Sequence, residues 1–224
     1  MKKENDIIVN YELLDYFQKE GRLHPCLFLD RDGVIIEDRH YIKKEEDVIL
    51  EKGAYDLISK AHSLKWIIVV ITNQSGIARG LLNWEDYKSV TSKMISFFEF
   101  GNPFTAIYSN SLKSGSSFKT WRKPSPEMIL QALKDIPIDI KKTILIGDRI
   151  SDIEAGLNAN INKLFHVKTG HGVFERKKIM EVKSFSKLLN KISKKNGLSK
   201  LNLINNLEEF PSNILNYQKN NTIF

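Results

Sequence analysis

Short apolar runs alternate with longer amphipathic stretches along the chain. Five runs have the length and the β-branched or aromatic content of buried strands: residues 26–29, 66–71, 105–108, 143–146 and 163–167. The run at 66–71 is continuously apolar, which is typical of a strand covered on both faces. These runs predict five strands of one sheet.

The stretches between the runs predict helices. Residues 52–64 place apolar side chains three to four positions apart, and residues 84–98 follow Asn83, a favoured N-cap residue. Ser125 followed by Pro126 predicts a further helix start. Strands that alternate with helices predict an α/β fold: a Rossmann-like parallel sheet sandwiched by helices, with right-handed crossovers.

The remaining segments flank this core. We predict an N-terminal helical extension over residues 1–22 and an α/β domain over 23–195. Residues 196–224, which are rich in Asn, Lys and Ser, are interpreted as a weakly ordered tail or a docking segment. The longest apolar run is too short to span a bilayer, and the N-terminus leads into no signal-like apolar stretch. The single cysteine, Cys26, excludes an intramolecular disulfide. We therefore expect a cytoplasmic protein with no membrane partner.

Composition adds one further question, which concerns charge. The chain has 224 residues, of which 42% are hydrophobic, and a net charge of +7. Residues 163–200 contain eleven Lys or Arg and two Asp or Glu. Such a segment suits nucleic acid or a phosphorylated ligand, but it has no interleaved aromatic platform. We favour a solvated helix face, so nucleic acid is not the expected partner.

Polar residues follow the predicted strands at the points where these end. Asp30 and Asp32 follow the first strand and Thr72 the second, while Asp148 and Asp152 come after residues 143–146. Because ligands of parallel sheets bind beyond the carboxyl ends of the strands, these groups should meet at one edge. Carboxylates can hold Mg²⁺ or attack phosphorus, and a hydroxyl can hold a phosphoryl group. The pattern favours phosphoryl transfer.

Four strings carry a family resemblance: FLDRDGVI from residue 28, TNQSGIARG from 72, RKPSPEM from 122 and GDRISDIEAG from 147. In this order they resemble the motifs of haloacid dehalogenase superfamily phosphatases. The fuller strings resemble its cap-less members that act on heptose 1,7-bisphosphate or histidinol phosphate. The resemblance covers residues 25–172 and implies a haloacid dehalogenase-like fold without a large cap domain.

The resemblance also implies catalytic and metal-binding roles. Asp30 would be the nucleophile and a Mg²⁺ ligand. Asp32 would be the general acid and then the base, with its backbone carbonyl on the metal. Asp148 would be the second carboxylate on Mg²⁺, and Asp152 would orient Lys123 or a metal-bound water.

Phosphate binding is implied for a second set of residues. Thr72 and Lys123 would hold the transferring phosphate, helped by the backbone N–H of Asn73. Arg122 and Arg149 would contact the rest of a small phosphorylated substrate. Contacts from Arg79, His40 and Tyr41 are further candidates.

The chain departs from the family pattern ahead of the RKP string. Relatives typically carry Cys-x-His and Cys-x-Cys there, which hold structural zinc, whereas residues 109–111 read SNS and residues 119–121 read KTW. Those side chains cannot hold zinc tetrahedrally, so we expect Mg²⁺ but no structural zinc. Because this loop borders the family's substrate pocket, its change leaves the substrate open.

Several functions therefore stay open at this point. A heptose bisphosphate phosphatase is favoured, and a histidinol-phosphate phosphatase is the near alternative. A nucleic-acid 3′-phosphatase is more distant, and a non-catalytic binding protein is disfavoured by the intact Asp30 and Asp32. The oligomeric state is not predicted.

Overall fold

A seven-stranded sheet forms the centre of the computed structural model, which describes residues 4–113, 115, 120–180 and 200–216. The strands are β1 (Asn5–Val9), β2 (His24–Leu29), β3 (Ile67–Asn73), β4 (Ala106–Asn110), β5 (Ile138–Gly147), β6 (Lys163–Val167) and β7 (Lys200–Ile204). Their order is β1-β4-β3-β2-β5-β6-β7. β1 runs antiparallel to β4, and the other neighbouring pairs are parallel.

Seven α-helices accompany the sheet in the described residues. They are α1 (Tyr11–Lys19), α2 (Ala54–Ser63), α3 (Ser75–Ala78), α4 (Trp84–Ser96), α5 (Glu127–Asp135), α6 (Ile150–Asn158) and α7 (Gly172–Met180). α4 begins as predicted at Asn83, whose side chain accepts a hydrogen bond from the Asp86 N–H at 2.8 Å, while Asp86 accepts one from the Asn83 N–H. This reciprocal capping satisfies two otherwise unpaired donors of the first turn.

The core lies on both faces of the sheet, because successive strand residues point to opposite sides. On one face Leu29 and Val70 pack with α2 and α4. On the other, Phe28 and Val69 pack with α5, α6 and Phe17 of α1. The predicted α/β class with a mostly parallel, helix-covered sheet is confirmed.

The N-terminal extension is not helical throughout. Residues 5–9 form β1, which pairs with β4 and covers one edge of the parallel sheet, and the helix is confined to Tyr11–Lys19. The prediction of an all-helical extension over residues 1–22 was wrong at β1. The physical reason is that β4 offers unpaired backbone groups which this short segment satisfies.

The predicted tail also contributes structure. β7 adds to the sheet beside β6, and Leu207, Phe210 and Leu215 beyond it are buried. Of the two interpretations, the weakly ordered tail was wrong for residues 200–216, which instead dock on the core through these apolar side chains. The boundary predicted at 195/196 and residues 217–224 lie outside the described residues.

The basic segment 163–200 is only partly described, because residues 181–199 lie outside the described residues. Its interpretation as a solvated helix face therefore stays a prediction. Among the helices that the structure describes, none is both long enough and apolar enough to cross a membrane.

Candidate active site

A cavity of about 330 Å³ lies beyond the carboxyl ends of β2 and β3. The predicted site residues that line it are Asp30, Asp32, Thr72, Asn73, Arg122, Lys123 and Arg149. Asp148, which follows β5, and Asp152, in the first turn of α6, are fully buried beside these residues. The structure thus brings these nine predicted residues to one edge of the sheet, and the further candidates Arg79, His40 and Tyr41 line the same cavity.

Lys123 joins the carboxylates at the floor of the cavity. Its Nζ lies 2.9 Å from Asp30 Oδ2 and 2.7 Å from Asp152 Oδ1, and it donates to the Ile71 carbonyl at 2.8 Å. The side chain is only 2% exposed. Although burial alone would lower the pKa of Lys123, Asp152 and Asp30 raise it above its ordinary value, so the ammonium is retained.

The Asn73 side chain fixes the backbone at Lys123. Its Oδ1 accepts from the Lys123 N–H at 3.0 Å and its Nδ2 donates to the Lys123 carbonyl at 3.2 Å. The family resemblance implies only a backbone N–H contact from Asn73. The paired amide bonds add a positioning contact that links the end of β3 to the loop before α5.

Three carboxylates share this floor with one lysine. Oxygens of Asp30, Asp148 and Asp152 lie within 4.8 Å of one another. Burial raises the pKa of Asp30 to about 7, against the opposing effect of Lys123, and burial raises the pKa of Asp148 well above its ordinary value. Because one lysine cannot neutralise three acids, the site calls for a further positive charge.

Backbone groups hold Asp148 in place. Its Oδ2 accepts from the His171 N–H at 2.8 Å, while its Oδ1 is buried without a hydrogen-bond partner in the described residues. Gly33 and Gly170 both have positive φ, and a Cβ at either would lie within 2.7 Å of Asp148 Oδ2. An orphaned carboxylate oxygen among hard oxygen donors fits Mg²⁺.

Asp32 is clamped by two residues that sequence analysis did not assign. Arg31 donates through Nε and Nη2 to both oxygens of Asp32, at 3.0–3.3 Å. Gln74 Nε2 donates to Asp32 Oδ2 at 2.7 Å and to the Thr72 hydroxyl at 2.9 Å. Arg31 is itself buried, with its guanidinium 5.2 Å from the Tyr87 ring centroid. The one sequence signal was an arginine between two acids at a strand end.

Three arginines surround the cavity mouth. Arg122 donates to the Leu112 carbonyl at 2.8 Å, and Arg79 donates to the Tyr41 hydroxyl at 2.7 Å. Burial, with the nearby charges of Arg149 and Arg79, lowers the pKa of Arg122. Their mutual repulsion would be relieved by an anion at the mouth.

Hydrogen bonds to β1 and to Glu4 before it hold the SNS segment, where the family resemblance implies zinc ligands. Ser109 donates through its hydroxyl to the Asp6 carbonyl at 3.1 Å, and Ser111 donates to the Glu4 carbonyl at 3.0 Å. Trp121 packs against Tyr108, with ring centroids 5.7 Å apart. Lys119 and residues 116–118 lie outside the described part of the chain.

The fold and these residues define a hydrolase of the haloacid dehalogenase-like class, and a family model described as HAD-hydrolase-like matches residues 120–184. A D-glycero-beta-D-manno-heptose-1,7-bisphosphate 7-phosphatase of Helicobacter pylori is 37% identical over 71% of this chain and 95% of its own. An alpha-anomer counterpart of Photorhabdus laumondii is 40% identical over 66% and 85%. The chain belongs to the haloacid dehalogenase-like phosphatase family that contains these heptose bisphosphate phosphatases.

A solved structure agrees with this placement. The structure of D,D-heptose 1,7-bisphosphate phosphatase from B. bronchiseptica, complexed with magnesium and phosphate, matches this chain with a TM-score of 0.63. Its sequence is 27% identical, and the match covers 68% of this chain and 86% of the other. The predicted superfamily, with its heptose bisphosphate phosphatases, is confirmed as the family of this chain.

Proposed function

We propose that the chain is a Mg²⁺-dependent phosphomonoesterase that acts through an aspartyl-phosphate on a sugar bisphosphate, namely a heptose 1,7-bisphosphate. The observation that carries the proposal is the buried set Asp30, Asp148 and Asp152 around one lysine, with Asp32 clamped beside it. Such a set suits a cation and a phosphoryl group together, because the cation offsets the charge of the carboxylates and, with Lys123, that of the phosphoryl oxygens. The choice of heptose as the sugar rests on the substrates named for the relatives.

Asp30 and Asp148 would hold Mg²⁺, together with the backbone carbonyl of Asp32 that the family resemblance implies. When bound, the ion supplies positive charge for the phosphoryl oxygens. Lys123 and the Thr72 hydroxyl supply the protein's own share of that charge and polarity, because both line the cavity beside Asp30.

In the first step a carboxylate oxygen of Asp30 attacks phosphorus, and the bond from phosphorus to the sugar oxygen breaks. Asp32 gives its proton to that leaving oxygen. The clamp from Arg31 and Gln74 fixes where the Asp32 carboxyl points, so the proton is delivered to one place.

In the second step water attacks the phosphorus of the aspartyl-phosphate, and Asp32 takes a proton from that water. The bond between phosphorus and the Asp30 oxygen breaks, which releases inorganic phosphate and restores the carboxylate. Asp32 thus ends each cycle protonated, ready for the next leaving group.

The substrate's remaining phosphate would meet Arg79, Arg122 and Arg149 at the mouth. Guanidinium groups bind phosphate through two parallel hydrogen bonds. A monophosphate has no second phosphate to form these bonds with the arginines. A reaction in the cytoplasm stays part of this proposal and is supported by the one buried, free cysteine, Cys26.

The test is phosphate release in the presence of Mg²⁺ across a panel of substrates. We expect kcat/KM for one anomer of heptose 1,7-bisphosphate to exceed that for histidinol phosphate and for a 3′-phosphorylated oligonucleotide by at least about tenfold, or ~1.4 kcal/mol. Both anomers belong in the panel, because the two relatives named above differ in that respect.

The matched variants are Arg122→Ala and Arg149→Ala. Each should raise KM for the bisphosphate by about tenfold with little change in kcat, and should leave a heptose monophosphate unaffected. Preference for histidinol phosphate or for the oligonucleotide would replace the proposed substrate. Silence across the whole panel with Mg²⁺ present would favour a binding protein.

Gln74→Leu tests the clamp on Asp32. We expect kcat/KM for a sugar phosphate to fall by about tenfold or more, because a misplaced acid protonates a poor leaving group slowly. For p-nitrophenyl phosphate, whose leaving group needs no proton, kcat/KM should change little. The comparison uses kcat/KM because this ratio excludes the later hydrolysis of the aspartyl-phosphate.

Gln18→Leu is the matched control, since Gln18 lies exposed on α1. Equal losses for both substrates in Gln74→Leu would contradict a role in orienting Asp32 and would point to general damage of the site.

A further inference from the structure

A second cluster of metal-ligating side chains lies at the mouth of the cavity, apart from the buried carboxylates. Asp38 and His40 come from the loop after β2, and His171 comes from the loop after β6. One ligand atom from each lies within 4.8 Å of the other two, and all three residues line the cavity. Two distant segments of the chain therefore converge here.

The cluster is already organised. His171 Nε2 lies 3.0 Å from Asp38 Oδ2, and the His40 N–H donates to Asp38 Oδ1 at 3.1 Å. The His40 and His171 ring centroids are 6.1 Å apart. The Asp38 carboxylate thus contacts both histidines, His171 through its ring and His40 through its backbone N–H.

We propose that Asp38, His40 and His171 form a binding site for a transition-metal ion of the zinc class. Two imidazoles and one carboxylate form a borderline donor set, which favours zinc-like ions over Mg²⁺. The buried all-carboxylate site has the opposite preference. The two sites should therefore bind different ions in the same solution.

The distances suit this ion after small side-chain rotations. Ligand atoms of a tetrahedral zinc lie about 3.3 Å apart, given zinc–nitrogen bonds of about 2.0 Å. His40 is exposed, so its ring can turn towards the other two ligands without displacing core side chains.

Three protein ligands leave one coordination position open, unlike a closed structural site. The ion would accordingly exchange with solvent, and the open position would take water or an anion oxygen. Arg149 opposes the ion, because its Nη2 lies 3.9 Å from Asp38 Oδ2. This repulsion should weaken binding compared with a four-ligand zinc site. The proposed site differs from the structural zinc site that the SNS and KTW segments cannot form, because it uses other residues and holds an exchangeable ion.

The experiment is calorimetric titration of Zn²⁺ into the chelator-treated full chain, with Mg²⁺ at saturating concentration throughout. We expect one Zn²⁺ per chain. His40→Ala and His171→Ala should each weaken its binding by at least about tenfold, because each removes one of three ligands. The backbone N–H of His171 that holds Asp148 is retained in the alanine variant.

Two further variants make the test specific. His62→Ala removes a histidine that stacks on Phe100, away from the cavity, and should bind Zn²⁺ like the parent chain. Arg149→Ala should bind Zn²⁺ more tightly, since the opposing charge is gone. Absence of binding, or binding unchanged in both His40→Ala and His171→Ala, would overturn the site. Since no turnover is measured, failure here is distinguishable from failure of the proposed phosphatase activity.

Discussion

Asp30→Asn is expected to lower phosphate release by at least about a thousandfold while the protein stays folded. An amide cannot attack phosphorus, yet it preserves the shape of the side chain. The fold should tolerate the change because burial disfavours a charge at Asp30, and Lys123 keeps its ion pair with Asp152. Initial rates with Mg²⁺ and a thermal melt measure both effects.

Asp139→Asn is the matched control, because Asp139 is a carboxylate at the start of β5, away from the cavity, and its variant should keep full activity. Retention of more than a few per cent of the activity in Asp30→Asn would rule out Asp30 as the nucleophile. Unfolding of that variant would contradict the argument that a neutral group is tolerated there.

Lys123→Met is expected to cost both stability and activity. Methionine has a similar length but no charge, so Asp30 and Asp152 are left buried without their partner. Breaking a buried ion pair by removing one partner costs about 3–5 kcal/mol in the free energy of unfolding. Loss of a charge aimed at the phosphoryl group should lower kcat about a hundredfold or more. Urea denaturation without divalent ions measures the first effect.

The double variant Lys123→Met/Asp152→Asn separates charge from packing. Removing a carboxylate as well should restore part of the lost stability, with a coupling energy of about 1–3 kcal/mol. Lys88→Met, an exposed position on α4, serves as the control and should leave the unfolding free energy unchanged. Equal stability of Lys123→Met and the parent chain would show that the buried pairs contribute nothing net.

Local patterns were sufficient to predict the central strands. β2 and β3 are apolar runs bounded by polar turns, and each lies where the pattern indicated. β1 and β7 were missed because their character depends on distant partners. Asn5, for example, pairs with Asn110, and Lys200 pairs with Lys163. A local window over either segment contains no trace of that partner.

The same division applies to the candidate site. The proximity of residues at strand ends, such as Asp30 and Asp148, could be predicted from the sequence, because the carboxyl ends of parallel strands lie at one edge of the sheet. The contacts of Arg31 and Gln74 with Asp32 depend on side-chain direction, which spacing does not fix. The roles of all these residues stay predictions until the variants are measured.

The support for Asp148 affects when this site can be assembled. The His171 N–H that holds its carboxylate, and Gly170 that touches Gly33, follow β6 in the chain. During synthesis Asp30 would leave the ribosome early and Asp148 much later. The His171 N–H, which holds the Asp148 carboxylate, would emerge after both. A nascent chain that ends before residue 169 would contain both carboxylates but would lack Gly170 and the His171 N–H, which hold Asp148 in place. The cation would accordingly be captured only after most of the sheet has formed.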